Sequence, residues 1–448
     1  MRQRNRTFLL LATIVVTLLA SSSAPTPLYS LYQSRWGFSA ITTTVVFGVY
    51  AIAVLAALLI VGSLSDHIGR RPVLLAGLVV QAATMWVFIT ADGVPQLLTA
   101  RIVQGLATGA ALGAVGAGML DLDRDRGTLA NAVAPMTGTA IGALLAGVLV
   151  QFLPGPTTLV YLVFSIMFLA QAAGVFLMPE TTPGRPGALA ALRPEMGLPV
   201  AARRPMLVAT PVLVAAWALG GFHLSLGPAL VRLTVHSDSR LIGGAAVFAM
   251  AGTAATAVLL LRRISAAATM LVGIGLLVVG VAITELAIVT GSAGVLFVAM
   301  LVSGAGFGAS VQGAVRTVVP IAAPHERAGL LSLVYSISYL GLGVPAVIAG
   351  FLVVYGGGLL ATAEQYGLAV IVLAATALLG FVRRPGTSAS VGSGAGARET
   401  ASTSEGAGIT QSASTRTRTN AGTSTNAGTS TNAGKSARQV ERLEAGRR

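Results

Sequence analysis

Cysteine is absent from this 448-residue chain. Neither a disulfide framework nor a thiolate metal site can form, and cysteine usage leaves the redox compartment open. Histidine is scarce: His67, His223, His236 and His325 lie far apart, and none forms the H-x-x-x-H pair of a zinc site. Charged residues make up only 10% of the chain, against about 25% in an average soluble domain. A P-loop of the form G-x-x-x-x-G-K-[ST] is missing, which disfavours ATP as a direct energy source. These absences weigh against a metalloenzyme, and no cofactor is expected.

Apolar residues fill the space, at 54% of the chain with a mean hydropathy of +0.81. Apolar runs long enough to cross a bilayer, roughly 17–25 residues, recur along most of the sequence. Read as one helix each, they predict spans near 8–31, 39–63, 72–91, 95–120, 129–153 and 157–178. Six more follow near 205–231, 240–261, 266–290, 293–319, 327–355 and 359–382. The fold class is therefore all-α and membrane-spanning. The first run, with Arg2, Arg4 and Arg6 ahead of it and ASSSA at 20–24, has the look of a secretory signal peptide. Its continuation through APTPLY to Tyr29 favours a span.

The formal charge of +14 raises the question of nucleic acid. Its distribution answers it. With the N-terminus inside, Arg2, Arg4, Arg6, Arg70, Arg71, Arg124, Arg126, Arg203, Arg204, Arg262, Arg263 and Arg327 fall on inner loops, and Arg35, Arg232 and Arg240 on outer ones. Such a bias orients a multi-pass protein with both termini cytoplasmic, here in the cell membrane, and calls for no nucleic-acid partner.

Residues 179–204, rich in Pro, Gly and Arg, read as a cytoplasmic linker between two six-helix halves, 1–178 and 205–384. The halves echo each other. GLATGAALGAVGAGMLDLDRDRGTLANAV (105–133) matches GAGFGASVQGAVRTVVPIAAPHERAGLLSLV (304–334) in its glycine-rich helix and its acid-Arg-small trio, at an offset that keeps the membrane orientation and suggests a parallel repeat. From 385 to 448 the composition collapses to Ser, Thr, Gly, Ala and Asn, with NAGTST repeated, which reads as a disordered cytoplasmic tail.

The stretch GSLSDHIGRRP (62–72), between the second and third spans, resembles the loop pattern of the major facilitator superfamily: Gly, three residues, Asp, a cation, any residue, Gly, Arg, then Arg or Lys. Gly62, Asp66, Gly69, Arg70 and Arg71 fill it, and His67 departs from it. The resemblance covers roughly residues 8–382. It implies two six-helix halves rocking about a central cavity, and a cytoplasmic latch in which Asp66 holds the outward-facing state. On physical grounds Gly62 permits close helix approach, Gly69 a tight turn, and Pro72 a helix start. Asp66 is suited to bond Arg70 or Arg71, or to sit at the start of a helix near His325 or Glu326. The alternative is that the arginines only enforce topology and Asp66 neutralises one of them.

RIVQGLATGAALG (101–113) resembles the family's fourth-helix pattern and sets Arg101 and Gln104 one turn apart, Arg101 about 9 Å from the helix start at Pro95. An arginine at the bilayer centre costs roughly 2.5–3.5 kcal/mol, so it either serves transport or coupling or snorkels to the surface. APMTGTAIGALLAG (134–147) partly resembles the antiporters' fifth-helix pattern, with Gly138, Gly142 and Gly147 in place but Ala143 where that pattern has proline; the glycines serve helix packing equally well. The family's first, fourth, seventh and tenth helices line the cavity, which implies Thr13, Thr17, Arg101, Gln104, Trp217, His223, Ser303 and Gln312 as lining. His223 is the candidate that titrates near neutral pH. Glu285 is taken as the acid within a span, near the outer end of the peripheral ninth helix. Arg316 is expected to snorkel.

The expected function is secondary transport of a small-molecule substrate by alternating access, driven by protons, with efflux of a drug or neutral metabolite by family analogy. Uptake of a sugar or metabolite, or a non-transporting sensor or scaffold of the same fold, are the alternatives. An enzyme would need convergent nucleophile, base or metal ligands that the sequence does not supply. The tail yields the first prediction: its composition cannot support a packed core, so truncation after Arg384 leaves membrane yield and flux near those of the full chain, as read by membrane fractionation and vesicle uptake.

Overall fold

The structure, a computed structural model, describes residues 2–382 apart from 183, 190, 191 and 238. The expected tail lies outside the described residues. Twelve helices among the described residues are long and apolar enough to cross a membrane. In the first half they are α1 (Arg2–Ser23), α3 (Ala40–Val61), α5 (Arg70–Ile89), α6 (Val94–Leu122), α7 (Arg124–Phe152) and α8 (Pro156–Phe176). In the second they are α9 (Val200–Ser225), α11 (Arg240–Leu261), α12 (Ala266–Thr290), α13 (Ala293–Val318), α14 (Arg327–Tyr355) and α15 (Gly358–Val382). Among the described residues three short α-helices, α2 (Tyr29–Trp36), α4 (Ser65–Ile68) and α10 (Gly227–Val235), and a 3-10 turn, Val319–Ile321, accompany them.

The spans expected from hydropathy each find a helix, with α1 starting at Arg2 and α7 at Arg124 rather than at 8 and 129, and two of the runs divide, at places that correspond between the halves. The run 8–31 is not one helix: α1 stops at Ser23, a turn carries Pro25 and Pro27, and α2 follows. Proline removes a backbone donor and drives the residue before it out of the helical region, which breaks the run. The run 205–231 divides likewise into α9 and α10, with Pro228 in the first turn of α10. At its other end α9 begins at Val200, ahead of the expected start at 205, and carries Pro205 within it. Pro72 also sits differently from expectation, in the first turn of α5 rather than at its first residue.

Each half repeats one packing scheme. In the first, α1 packs on α7, α3 on α6, and α5 on α6 and α8. In the second, α9 packs on α14, α11 on α13, and α12 on α13 and α15. The halves meet along two seams that exchange under this correspondence, α3 with α14 and α7 with α11. The closest approaches across both seams lie toward the end away from Arg2. Thr44 touches Gly350, a Cβ at Gly48 would sit 2.8 Å from Val347, and one at Gly147 would sit 3.3 Å from the Gly244 Cα. Gln151 accepts the backbone N–H of Arg240 at the same end, 3.0 Å.

In lipid no hydrophobic force draws one helix to another, so van der Waals packing over small residues carries the association. Gly138 and Gly142 of α7 lie directly against the α1 backbone at Val16 and Ala20. Gly105 and Gly109 of α6 do the same against Tyr50, Val54 and Ala57 of α3. A side chain added there forces backbones apart, whereas Gly252 has nothing within 4 Å of an added Cβ. Gly142→Ala is therefore expected to lower stability by roughly 1–3 kcal/mol through overpacking. Gly252→Ala should be neutral, and thermal melting of the two purified variants against the parent checks the difference.

Candidate functional site

Because α1 stops at Ser23, its last carbonyls have no intrahelical donors. The Ala20 and Ser23 carbonyls take backbone N–H groups from the turn, those of Ala24 and Thr26. Those of Ser21 and Ser22 take side chains from α6. Arg101 Nη1 donates to the Ser22 carbonyl at 3.0 Å, and Gln104 Nε2 donates to that of Ser21 at 3.2 Å. Arg101 Nη1 also donates to Gln104 Oε1 at 2.8 Å, so the two side chains cap one helix end as a unit. The C-terminus of a helix carries about half a negative charge, the sign a buried guanidinium needs.

The remaining donors of Arg101 go to Tyr29, the first residue of α2. Nε bonds the phenol oxygen at 3.2 Å and Nη2 bonds it as well. The guanidinium lies 5.6 Å from the Tyr29 ring centroid and 5.1 Å from that of Tyr50, a cation–π arrangement from two rings. Arg101 is fully buried. It does not snorkel, and among the described residues no carboxylate pairs with it. Gln81 of α5 extends the network, donating to the Gln104 carbonyl at 3.0 Å and the Thr108 hydroxyl at 2.7 Å.

The second cluster lies at the 62–71 loop. Gly62 packs on α6, where a Cβ at Gly113 would sit 3.1 Å from the Gly62 Cα. Gly69 has φ +98°, a conformation that side-chain-bearing residues rarely adopt, and a Cβ there would sit 2.7 Å from Glu180 Oε2. That carboxylate accepts the backbone N–H groups of Arg70 (2.8 Å) and Arg71 (3.0 Å), capping the positive N-terminus of α5. Arg70 is buried and joins Asp66 at 2.5 Å, Ser65 at 2.6 Å and Asp121 of α6 at 3.3 Å. Thr182 donates to the same Asp121 oxygen. Arg71 bonds the Phe176 carbonyl and covers that ring. Asp66 therefore bonds Arg70, while Glu326 and Arg327 at the start of α14 bond their own loop, at the Ala323 N–H and the Ala322 carbonyl.

Several side chains expected in a cavity face sibling helices instead. Thr17 accepts a bond from Gln171 of α8, Ser303 packs on α12 at Gly280, and Gln312 donates to the Val258 carbonyl of α11. Thr13 is exposed and bonds the Leu10 carbonyl. Trp217 lies in an aromatic group, 5.1 Å from the Phe307 ring and 6.1 Å from that of Tyr339, beside Phe47 and Ala51 of the other half. Its indole N–H has no hydrogen-bond partner among the described residues. His223 is buried in the last turn of α9; its Nδ1 meets the Leu219 carbonyl at 2.9 Å, and its Nε2 has no partner among the described residues. Glu285 sits where α12 meets α15, with an oxygen 3.0 Å from where a Gly367 Cβ would lie. The span 359–382 also holds an acid, Glu364. Arg316 donates to the carbonyl of Leu261, the last residue of α11, and to that of Ile264 in the turn beyond it.

The family model of the Major Facilitator Superfamily matches residues 9–282. The chain belongs to that superfamily. Solved structures of the same fold include a bacterial homologue of the human lysosomal transporter Spinster in an inward-facing, occupied conformation, at 12% identity and TM-score 0.66, over 85% of this chain and 97% of that one. The nucleoside transporter NupG matches at 14% and 0.62, over 85% and 99%. The human organic anion transporter MFSD10 matches at 18% and 0.61, also over 85% and 99%. No curated protein matches the sequence.

Sequence reasoning found Arg101 and Gln104 but not their partners Ser21, Ser22 and Tyr29, and it passed over Glu180, Asp121 and Gln81. The break at Pro25 and Pro27 was the available signal, since a helix that ends inside a membrane protein must have its carbonyls capped from elsewhere. Lysine cannot reproduce the forked contacts of Arg101. Arg101→Lys is expected to insert normally yet lose about 1–3 kcal/mol of stability, the cost of leaving buried polar groups unpaired. Melting of the variant against the parent in the same detergent measures it.

Proposed function

We propose that the chain is a secondary transporter that moves a small neutral or weakly charged solute by alternating access between its two halves, and is not an enzyme. The observation that supports this best is the paired seam: α3 with α14 and α7 with α11 close on each other at one end, through small residues, an apolar cluster of Phe47, Ala51, Leu342 and Ala346, and one polar side chain. The two seams exchange under the correspondence between the halves, as a rocking motion about a central axis requires. The positive-inside bias sets both termini on the cytoplasmic face of the cell membrane, which makes the arrangement inward-facing. The loop at Gly62–Arg71 is then a disengaged latch, its Asp66 free to exchange Arg70 for the N-terminus of α14.

The lining between the halves favours a flat, largely apolar solute. Trp217, Phe307 and Tyr339 offer ring faces, and the Trp217 indole offers one donor. Proton coupling assigns the titrating role to His223, whose Nε2 is unpartnered. Efflux is the direction by family analogy; uptake is the second reading, which the structural likeness to a nucleoside transporter favours because a nucleobase is a flat ring that stacks.

Proteoliposomes with an imposed proton gradient test the whole reading. A panel of nucleosides and uncharged aromatic compounds should include one whose flux saturates and depends on pH between about 5 and 8. Trp217→Phe should raise its half-saturation concentration several-fold, and His223→Gln should flatten the pH profile. Saturable flux with an unchanged profile in the histidine variant removes His223 as the proton carrier. Absence of flux for every compound, in protein that melts cooperatively, supports the sensor or scaffold reading.

A further inference from the structure

The segment that joins the halves runs back over the start of α14. A Cβ at Gly329 would sit 2.9 Å from the Gly197 nitrogen, and Ser336 donates to the Met196 sulfur at 3.7 Å. Ser336 lies about 13 Å along α14 from Arg327, at 1.5 Å per residue. Met196 thus reaches past the helix start and along the face of α14 near the inner end of the seam.

The register of the seam identifies that face. Thr44 meets Gly350, Gly48 meets Val347 and Gly343, and a Cβ at Gly343 would sit 3.3 Å from the Ala51 Cβ, so α3 and α14 run antiparallel. Continuing the same register along α3 toward Val61 brings Leu58 opposite Ser336. Those are the positions that closure at that end would bring together. Met196 and Gly197 already touch that stretch, at Ser336 and Gly329.

We infer that residues Pro194–Pro199 are a removable wedge, which holds the two halves apart at the end bearing Arg2 and must leave α14 before that end can close. This rests on the alternating-access reading above. The segment is built to come off. Met196 is 56% exposed and Leu198 39%, and a cavity of about 560 Å³ lies between the segment and His325, Glu326 and Gly329. The apolar surface that returns to water when it lifts is confined to the covered parts of the Met196 and Leu198 side chains, which sets the gain needed elsewhere to displace it. The connection between the halves is then a regulatory element that sets how often the inner side closes.

The absence of native cysteine makes the test direct. Spin labels at Asp125→Cys, the start of α7, and Arg263→Cys, after α11, report the separation of the halves at that end without touching the wedge or α14. Distances are measured in the full chain in nanodiscs, in three backgrounds: the parent segment, residues 194–199 replaced by a Gly-Ser run of equal length, and Met196→Gly. Met196→Leu, which keeps an apolar side chain of similar length, is the control. The ratio of short to long distances is expected to rise about tenfold in the Gly-Ser and Met196→Gly chains over the control, and Met196→Gly keeps the test available if the longer replacement does not fold. A short-distance population present in every background with the same weight overturns the wedge and leaves alternating access standing. A short-distance population absent from all of them, in folded protein, overturns alternating access and the wedge with it.

Discussion

The capping of α1 by Arg101 is the contact on which the first half depends. A helix that ends within the bundle leaves carbonyls that lipid cannot satisfy, each at a cost of several kcal/mol. Arg101 and Gln104 reach across from α6 and take two of them. The same contact explains why an arginine with no carboxylate partner is tolerated in the interior: its counter-charge is the negative end of α1, supplemented by the faces of Tyr29 and Tyr50. The break in α1 and the buried arginine are one feature. Without the break there are no free carbonyls for Arg101, and without Arg101 the break leaves them bare.

The same economy recurs at three other polar side chains. Glu180 sits on the N-terminus of α5, Gln151 on that of α11 from the opposite half, and Arg316 on the last carbonyls of α11. Negative or accepting groups meet helix starts and a cation meets a helix end, as the direction of the peptide dipoles requires. The halves nevertheless differ. At the matching end of α9 the second half has Ser225, whose hydroxyl turns back to the Gly221 carbonyl, and Tyr366, whose hydroxyl takes that of Ala218. The parallel repeat therefore preserves packing but not charge, and the polar specialisation lies on the first half.

Hydropathy alone located the twelve spans within a few residues, because a run of apolar side chains near bilayer length has few other stable solutions. It failed at Ser23 and Ser225, where a short helix continues the apolar composition after the long one ends; composition does not register a break in the helix. The loop at Gly62–Arg71 was legible as a motif, and Gly69 earns its place through a positive φ and the carboxylate pressed against it. Glu180 was not legible, since it lies far along the chain and contributes through space to a helix start. The faces of Thr17, Ser303 and Gln312 were misjudged for a related reason. Membership of a cavity-lining helix does not say which side of that helix a residue occupies, and in a bundle without water the siblings on the other side also need hydrogen bonds.

A carrier must keep two closed arrangements within a few kcal/mol of each other, since moving an equilibrium from one side to the other takes about 5.5 kcal/mol of bias. The seams suit that requirement. They combine close backbone approach at Thr44, Gly48, Gly147 and Gly244 with one apolar cluster, Phe47, Ala51, Leu342 and Ala346, and Gln151 adds one hydrogen bond worth about 1 kcal/mol. In the proposed latch, moving Asp66 from Arg70 to the start of α14 would exchange one charged contact for another of similar kind, and a contact at a helix terminus is worth about 0.3–2 kcal/mol. On the alternating-access reading proposed above, small additional contacts such as the one between Met196 and Ser336 would bias which side is open, and the connection between the halves would then belong to the mechanism as much as the helices do.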